Sequence, residues 1–337
     1  MKLWFERGAW ASKKGRKITS KIDAKAVTRI MVIRHAAFGD MVLVRPFLVE
    51  LKKFFPNASI LLSLTSNYVY GAPNDLVDDL HVIPGSDKKD TPLHEQFRLA
   101  RQAGAFDILF DLADTVRSRY LTALTTASLK VGFPYSPVVR NLLFDVAVPR
   151  SDYVFEAENM LHALRAFGAP VSLPMDFGWG DQPRGCVDKN YIVYFPFASV
   201  DSKCWPKENF YELVMQAANE LPNYEHVMLE GVGEHEKLKL SNPAVTISQN
   251  VKVQSRVEIE ELCSILANAS LVVSNDTGVR NLAIATATPT IGIFFSTVPY
   301  RYLPNSELHR AAFSSDGATP SVASVRSLIL RTLASLE

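Results

Sequence analysis

Asp40 follows Gly39 where a short apolar run, residues 30–33, gives way to a helical pattern. A carboxylate beyond the end of a buried strand stands where open α/β sheets bind ligands. There it faces a cleft and can have a catalytic role. Asp is also a favoured helix N-cap, so spacing alone leaves both roles open. Gly39 in front of it allows a sharp or left-handed turn. A second block of this kind is LVVSNDTG at 271–278, a strand pattern running into Asp276, Thr277 and Gly278 and then a helix. The first N–H groups of a helix are unpaired and carry the positive end of its dipole, a natural seat for phosphate. A plain capping role for Asp276 or Thr277 fits equally well. Lys203, in SKCWPKENF beyond the strand pattern at 191–195, can neutralise a departing diphosphate as a point charge, or can be a solvated loop lysine. Arg34, Arg117 and Arg119 stand at strand ends or in first helical turns. They can hold an anion, with a solvated face as the alternative.

Other chemistries find no support. The chain has no Asp-x-Asp triplet for a nucleotide-bound divalent ion and no His or Cys spacing suited to zinc. It has no G-x-S-x-G elbow and no phosphate-binding G-x-x-x-x-G-K. Gly231-Val232-Gly233 follows a strand pattern, but Glu236 stands where a dinucleotide fingerprint places its third glycine, so an NAD-dependent oxidoreductase is a weak reading. The three cysteines, Cys186, Cys204 and Cys263, are scattered and suit a reducing compartment, each expected as a small buried thiol. With 337 residues, 47% apolar and 21% charged residues and a net charge of +1, the chain reads as a globular protein of two domains and not as a nucleic-acid binder. No apolar run approaches the ~20 residues needed to cross a bilayer.

Strand and helix patterns alternate on both sides of a Pro- and Gly-rich run at 168–185, which requires two parallel sheets, one on each side of a cleft. Strands are expected at 30–33, 59–64, 80–83, 107–112, 130–132, 191–195, 225–229, 245–247, 271–274 and 290–295. Helices are expected at 41–55, 94–103, 115–127, 156–167, 207–220, 258–267, 279–287 and 322–336. The divisions are a basic aromatic segment at 1–28, a first domain at 29–172, a linker at 173–188 and a second domain at 189–337, whose last helix is a candidate to pack back on the first. Residues 1–29 hold nine Lys or Arg against Glu6 and Asp23, interleaved with Leu3, Trp4, Phe5 and Trp10. They read as a solvated, partly disordered lead-in, or as a peripheral attachment to an anionic membrane surface.

Four blocks in order, VIRHAAFGDMVLVRP, FDILFDLADTVRSRYLTALTTASLKVGF, SKCWPKENF and VVSNDTGVRNLAIATATPTIGIF, resemble glycosyltransferase family 9, the heptosyltransferases of the lipopolysaccharide inner core. The resemblance spans about residues 29–299. It implies a GT-B fold of two Rossmann-like, doubly wound domains, the first taking the acceptor and the second a nucleotide-sugar, typically ADP-heptose. It implies transfer with inversion and no metal or resident cofactor. Carried over, Asp40 is the general base. Lys203, Ser199, Asp276, Thr277, Gly278 and Asn281 bind the donor and its phosphates, and Gly39, Arg34, Arg117 and Arg119 lie on the acceptor side. Asn281 replaces a family His, and Phe195-Pro196-Phe197 and Phe294-Phe295-Ser296 replace glycine-containing loops. A different nucleotide-sugar, or a non-catalytic scaffold with a degenerate donor site, therefore stays open. The expected partners are the donor, an anionic glycolipid acceptor and an anionic membrane surface. The expected location is the cytoplasm, peripheral to the inner face of the inner membrane.

Overall fold

The computed structural model describes residues 9–88, 91, 92, 95, 98, 101–134, 137–179, 190–238 and 249–336. The chain divides into two units, Met1–Gly178 and Trp179–Glu337. The first is built on seven strands: β1 (Trp10–Ala11), β2 (Arg29–Ile33), β3 (Ser59–Thr65), β4 (Asp79–Ile83), β5 (Ala105–Asp111), β6 (Thr126–Gly132) and β7 (Val146–Ala147). Their order is β1-β7-β6-β5-β2-β3-β4, and every pairing is parallel except that of β1 with β7. Parallel sheets are covered on both faces, so their inner strands are continuous apolar runs. Ile30, Met31, Val32 and Ile33 of β2 are accordingly all fully buried. On one face Met31, Ile33 and Leu109 pack with Phe106 and Leu121.

The second unit carries β8 (Tyr191–Phe195), β9 (Glu225–Leu229), β10 (Val251–Gln254), β11 (Leu271–Asn275), β12 (Thr290–Ile293) and β13 (His309–Ala312), all parallel, in the order β10-β9-β8-β11-β12-β13. Setting β1 aside, both sheets have the doubly wound order 3-2-1-4-5-6. Strand order reverses between β2 and β5 in the first unit and between β8 and β11 in the second. Loops leaving those strands diverge there and open a crevice at the carboxyl ends. The closing helix Val322–Ala334 packs on Lys207–Glu220 within the second unit. No helix among the described residues is long and apolar enough to cross a membrane.

Several expectations are corrected. The helix expected over 41–55 starts at Phe38 and is two, Phe38–Leu43 and Arg45–Phe54. Pro46 has no N–H to give Val42, which interrupts the ladder. Gly39 lies inside the first of these helices and is not among the positive-φ residues, so no left-handed turn is made there. Residues 9–28 are not a loose lead-in. Trp10–Ala11 pairs antiparallel with Val146–Ala147, and Ser12 caps the helix Lys13–Thr19, its hydroxyl accepting from Gly15 N at 2.8 Å. Strands β1, β7, β10 and β13 and the helix Pro137–Leu143 were not legible from periodicity. Residues 173–178 of the expected linker are tied into the first unit, Phe177 O accepting from Arg45 Nε at 2.7 Å. Residues 180–189, the strand expected at 245–247 and half of the helix expected at 94–103 lie outside the described residues, as do residues 1–8 and Cys186. Cys204 and Cys263 are only half-buried, not the fully buried thiols expected.

Candidate active site

Arg34 and His35 leave β2 at the reversal of the first sheet. Arg34 Nη1 donates to Leu112 O, just beyond β5, at 2.6 Å, and so bridges the two diverging strands. Its Nη2 donates to Asp40 Oδ1 at 2.7 Å. Asp40 is the third residue of Phe38–Leu43, whose N-cap is Ala37 with no side-chain cap bond. The capping alternative is therefore not realised, and the carboxylate turns back to Arg34 instead. The Asp40 side chain is 23% exposed and that of Arg34 is 3% exposed. Arg34 is thus held inside the unit and does not offer itself to an acceptor.

Two residues that sequence reasoning missed complete this arrangement. Glu156 opens the helix Glu156–Arg165, and its Oε1 accepts from Arg34 Nη2 at 3.1 Å and from Arg150 Nη2 at 2.6 Å. Glu156 lies 122 positions from Arg34, and no local spacing signals the pairing.

Behind Arg34, His35 Nε2 and His81 Nδ1 both bond Ser63 Oγ at 3.0 Å, linking the ends of β2, β3 and β4. Burial pushes His35 down to about 3, with the charge of Arg117 and the neighbouring His81 adding to the effect. Its ring is neutral at ordinary pH. At the end of β5, Asp111 is fully buried and accepts from the backbone N–H groups of Ala113 and Asp114 at 3.0 and 3.1 Å, and burial raises it to about 6.

The two arginines of the next helix, Val116–Leu124, differ. Arg119 donates through Nε and Nη2 to Asp114 Oδ1 at 2.9 and 2.8 Å. Arg117 is exposed and makes no side-chain hydrogen bond among the described residues. Of the three arginines expected on the acceptor side, Arg117 is the exposed one.

In the second unit, the residues beyond β8 and β11 meet at the reversal. Asn275, fully buried at the end of β11, donates to Pro196 O at 2.9 Å and accepts from Trp205 N at 3.0 Å, which pins the β8 loop. Lys203 ends a short turn of 3-10 helix and donates to Asp276 Oδ2 at 2.7 Å, with Tyr302 beneath its ammonium at 5.8 Å. Thr297 Oγ1 donates to the same carboxylate oxygen at 3.0 Å. Thr277 is the N-cap of Gly278–Ala285 but makes no side-chain cap bond, and Asp276 is turned to Lys203. Neither plain-cap reading is realised. Ser199 is exposed in the β8 loop, and Asn281 is buried with its Oδ1 unpartnered among the described residues.

Arg280, next to Asn281, is fully buried over Phe294 and donates to Tyr302 O at 2.6 Å. Burial brings its guanidinium down to about 10, against the attraction of Asp276. It fits because position 292 is glycine: a Cβ there would stand 2.4 Å from Arg280 Nε.

The family model of glycosyltransferase family 9 (heptosyltransferase) matches residues 96–328, more than half of the chain. The chain belongs to this family. Lipopolysaccharide heptosyltransferase 1 of Salmonella typhimurium is 23% identical over 290 residues, covering 80% of this chain and 89% of that protein. Among solved structures, Escherichia coli heptosyltransferase WaaC with ADP-2-deoxy-2-fluoro heptose superimposes with a TM-score of 0.72 at 18% identity, over 90% of this chain and 99% of that one. A glycosyltransferase family 9 protein from Veillonella parvula gives 0.69 at 19% identity, over 93% and 98%. The fold is that of the heptosyltransferases, two Rossmann-like units of the GT-B class, and this family 9 member is a glycosyltransferase.

Proposed function

We propose that the chain transfers heptose from ADP-heptose to a lipopolysaccharide inner-core acceptor, with inversion at the anomeric carbon. The observation that carries this reading is Asp40. Its carboxylate sits at the strand-order reversal, is held by an arginine, caps nothing and reaches solvent. In the proposed step Asp40 takes the proton of an acceptor hydroxyl while that oxygen bonds to the anomeric carbon from the face opposite ADP. The carbon–oxygen bond to the diphosphate breaks, and its electron pair leaves with ADP. General-base help of this kind contributes about 10²–10⁴-fold. Lys203 and the unpaired N–H groups at Gly278 stabilise the charge gathering on the diphosphate. No metal takes part in this scheme.

The test is Asp40→Ala, followed by ADP release and by mass spectrometry of the glycolipid product. Transfer is expected to fall at least a hundred-fold while ADP still binds. A variant working at the wild-type rate removes the base assignment.

The finer partner assignment is an anionic membrane surface. Lys13, Lys14, Arg16 and Lys17 are exposed on the helix Lys13–Thr19, and Lys21 and Lys25 are exposed just beyond it, with Ile18 and Ile22 half-buried among them. Basic residues near such a surface contribute about 1 kcal/mol each. Sedimentation with anionic liposomes that is unchanged after reversing four of these charges rejects the assignment.

A different nucleotide-sugar is favoured by one local feature, the buried Asn281 whose Oδ1 finds no partner among the described residues, beside the fully buried Arg280. Thermal-shift measurements with ADP, UDP, GDP and their sugars decide between donors, because a ligand at 100 times its Kd stabilises by about 2.7 kcal/mol. No shift with any of them favours a scaffold that has lost its donor site.

A further inference from the structure

Asp40 stands at the outer end of a row of alternating charges, Arg150, Glu156, Arg34 and Asp40, all within the first unit. The three inner members are almost entirely buried: Arg150 is 5%, Glu156 1% and Arg34 2% exposed. Only the last carboxylate reaches solvent. A buried ion persists only when paired and hydrogen-bonded, and Glu156 meets that need for two guanidiniums at once through one oxygen. Arg34 in turn is fixed at three points, Leu112 O, Glu156 and Asp40, on atoms from three separate elements. Its planar fork transmits that fixation as direction and not only as charge. The result at Asp40 is asymmetric. Oδ1 is taken by Arg34, and among the described residues no donor holds Oδ2.

From this geometry we infer that Glu156 is a positioning residue for transfer. It holds the Arg34 guanidinium against the ends of β2 and β5, so that Arg34 pins Asp40 Oδ1 and leaves Oδ2 as the atom that takes the acceptor proton. Without the Glu156 charge, Asp40 is the one carboxylate left to Arg34 among the described residues, and Arg34 closes on it with both edges, occupying the base. Arg150 supports Glu156 from the far side. The inference rests on Asp40 being the base. It adds that a carboxylate on a different helix, which neither touches substrate nor lies near Asp40 in sequence, sets which oxygen of that base works.

The test is Glu156→Gln in the full-length protein, which keeps the shape and removes the charge. A misplacement of about 1 Å costs a reaction on the order of 10²-fold. Accordingly kcat is expected to fall about 10–100-fold while KM for both substrates and ADP affinity stay within about two-fold. Glu156→Asp, which retains the charge on a shorter arm, is expected to recover part of kcat and stands in if the Gln variant does not fold. Combining Glu156→Gln with Asp40→Asn is expected to be no worse than Asp40→Asn alone, because the effect passes through Asp40. Full kcat in a folded Glu156→Gln protein overturns the inference, and so does a Gln effect that multiplies undiminished onto Asp40→Asn. If Asp40→Ala itself keeps wild-type transfer, the base assignment is what has failed, whatever Glu156→Gln does.

Discussion

Lys203 and Asp276, 73 positions apart, form a 2.7 Å ion pair across the strand-order reversal of the second unit. The Asp276 side chain is 7% exposed and that of Lys203 26%, so the carboxylate is held by this cation and the Thr297 hydroxyl, with Arg280 attracting it as well. Lys203 is held in place before any donor arrives. An ammonium that is already oriented loses little freedom on meeting a diphosphate.

Lys203→Ala is expected to weaken ADP binding about 10–100-fold, since charge-assisted hydrogen bonds contribute about 1.5–3 kcal/mol. Isothermal titration with ADP checks this. Asp276→Asn is expected to weaken ADP less, because it frees the ammonium while removing its anchor. Equal affinity in wild type and Lys203→Ala means the lysine serves Asp276 and not the donor.

Arg117→Ala is expected to raise KM for the anionic acceptor several-fold with donor KM unchanged, because its guanidinium is outward and uncommitted. Arg119→Ala is expected to act mainly on stability, since it strips the bonds from Asp114, whose side chain is 2% exposed and whose φ is +47°. Steady-state kinetics on both variants separates the roles. If the two trade places, Arg119 is the acceptor contact.

Acid is expected to destabilise the protein through His35. Its pKa is lowered from 6.5 to about 3 by burial, so between those values the unfolded chain binds a proton that the folded one refuses, and stability falls as pH drops below about 6.5. His309, also lowered by burial to about 3, acts in the same direction. Asp111 is raised by burial from 3.8 to about 6 and opposes them between those values. Urea unfolding at pH 7.5, 6 and 5 is expected to show a shallower decline for His35→Gln than for wild type. Parallel declines would exonerate His35.

Gly15 lies against the backbone of Asp145, and a Cβ there would come within 2.3 Å of Asp145 O. Gly15→Ala is expected to loosen residues 9–19 from β7 without unfolding the sheet. Hydrogen exchange is the measurement: faster exchange at the backbone N–H of Ser12, which donates to Asp145 O at 2.9 Å, with β2 and β5 unchanged. Protection left intact at Ser12 contradicts that packing.

The buried strands were legible because a parallel sheet covers both faces, and runs such as residues 30–33 and 271–274 have no other reading. Very short strands were not: Trp10–Ala11 at the margin and Val146–Ala147 beside it are two residues each and carry no period. His309–Ala312, HRAA, is half polar because it lies at a sheet edge. Among the candidate site residues, Asp40 of the first unit and Lys203 and Asp276 of the second were singled out because they stand beyond strand ends. Glu156 and Arg150 could not, because their significance lies in a contact with Arg34, and Glu156 at the head of a helix looks like an ordinary dipole partner. Arg34 was misjudged for a related reason. Sequence shows a cation beside a site, but not which of its donors are already taken.

The antiparallel pairing of Trp10–Ala11 with β7 also bears on how the basic segment can be studied. A protein shortened to begin at residue 29 would move the margin of that sheet from β1 to β7, freeing the amide and carbonyl groups that β1 now pairs for another chain to zip onto. In a sedimentation assay, self-association through that strand would be confused with vesicle binding. The lipid question is therefore one for surface-charge changes on an intact amino terminus, not for deletions.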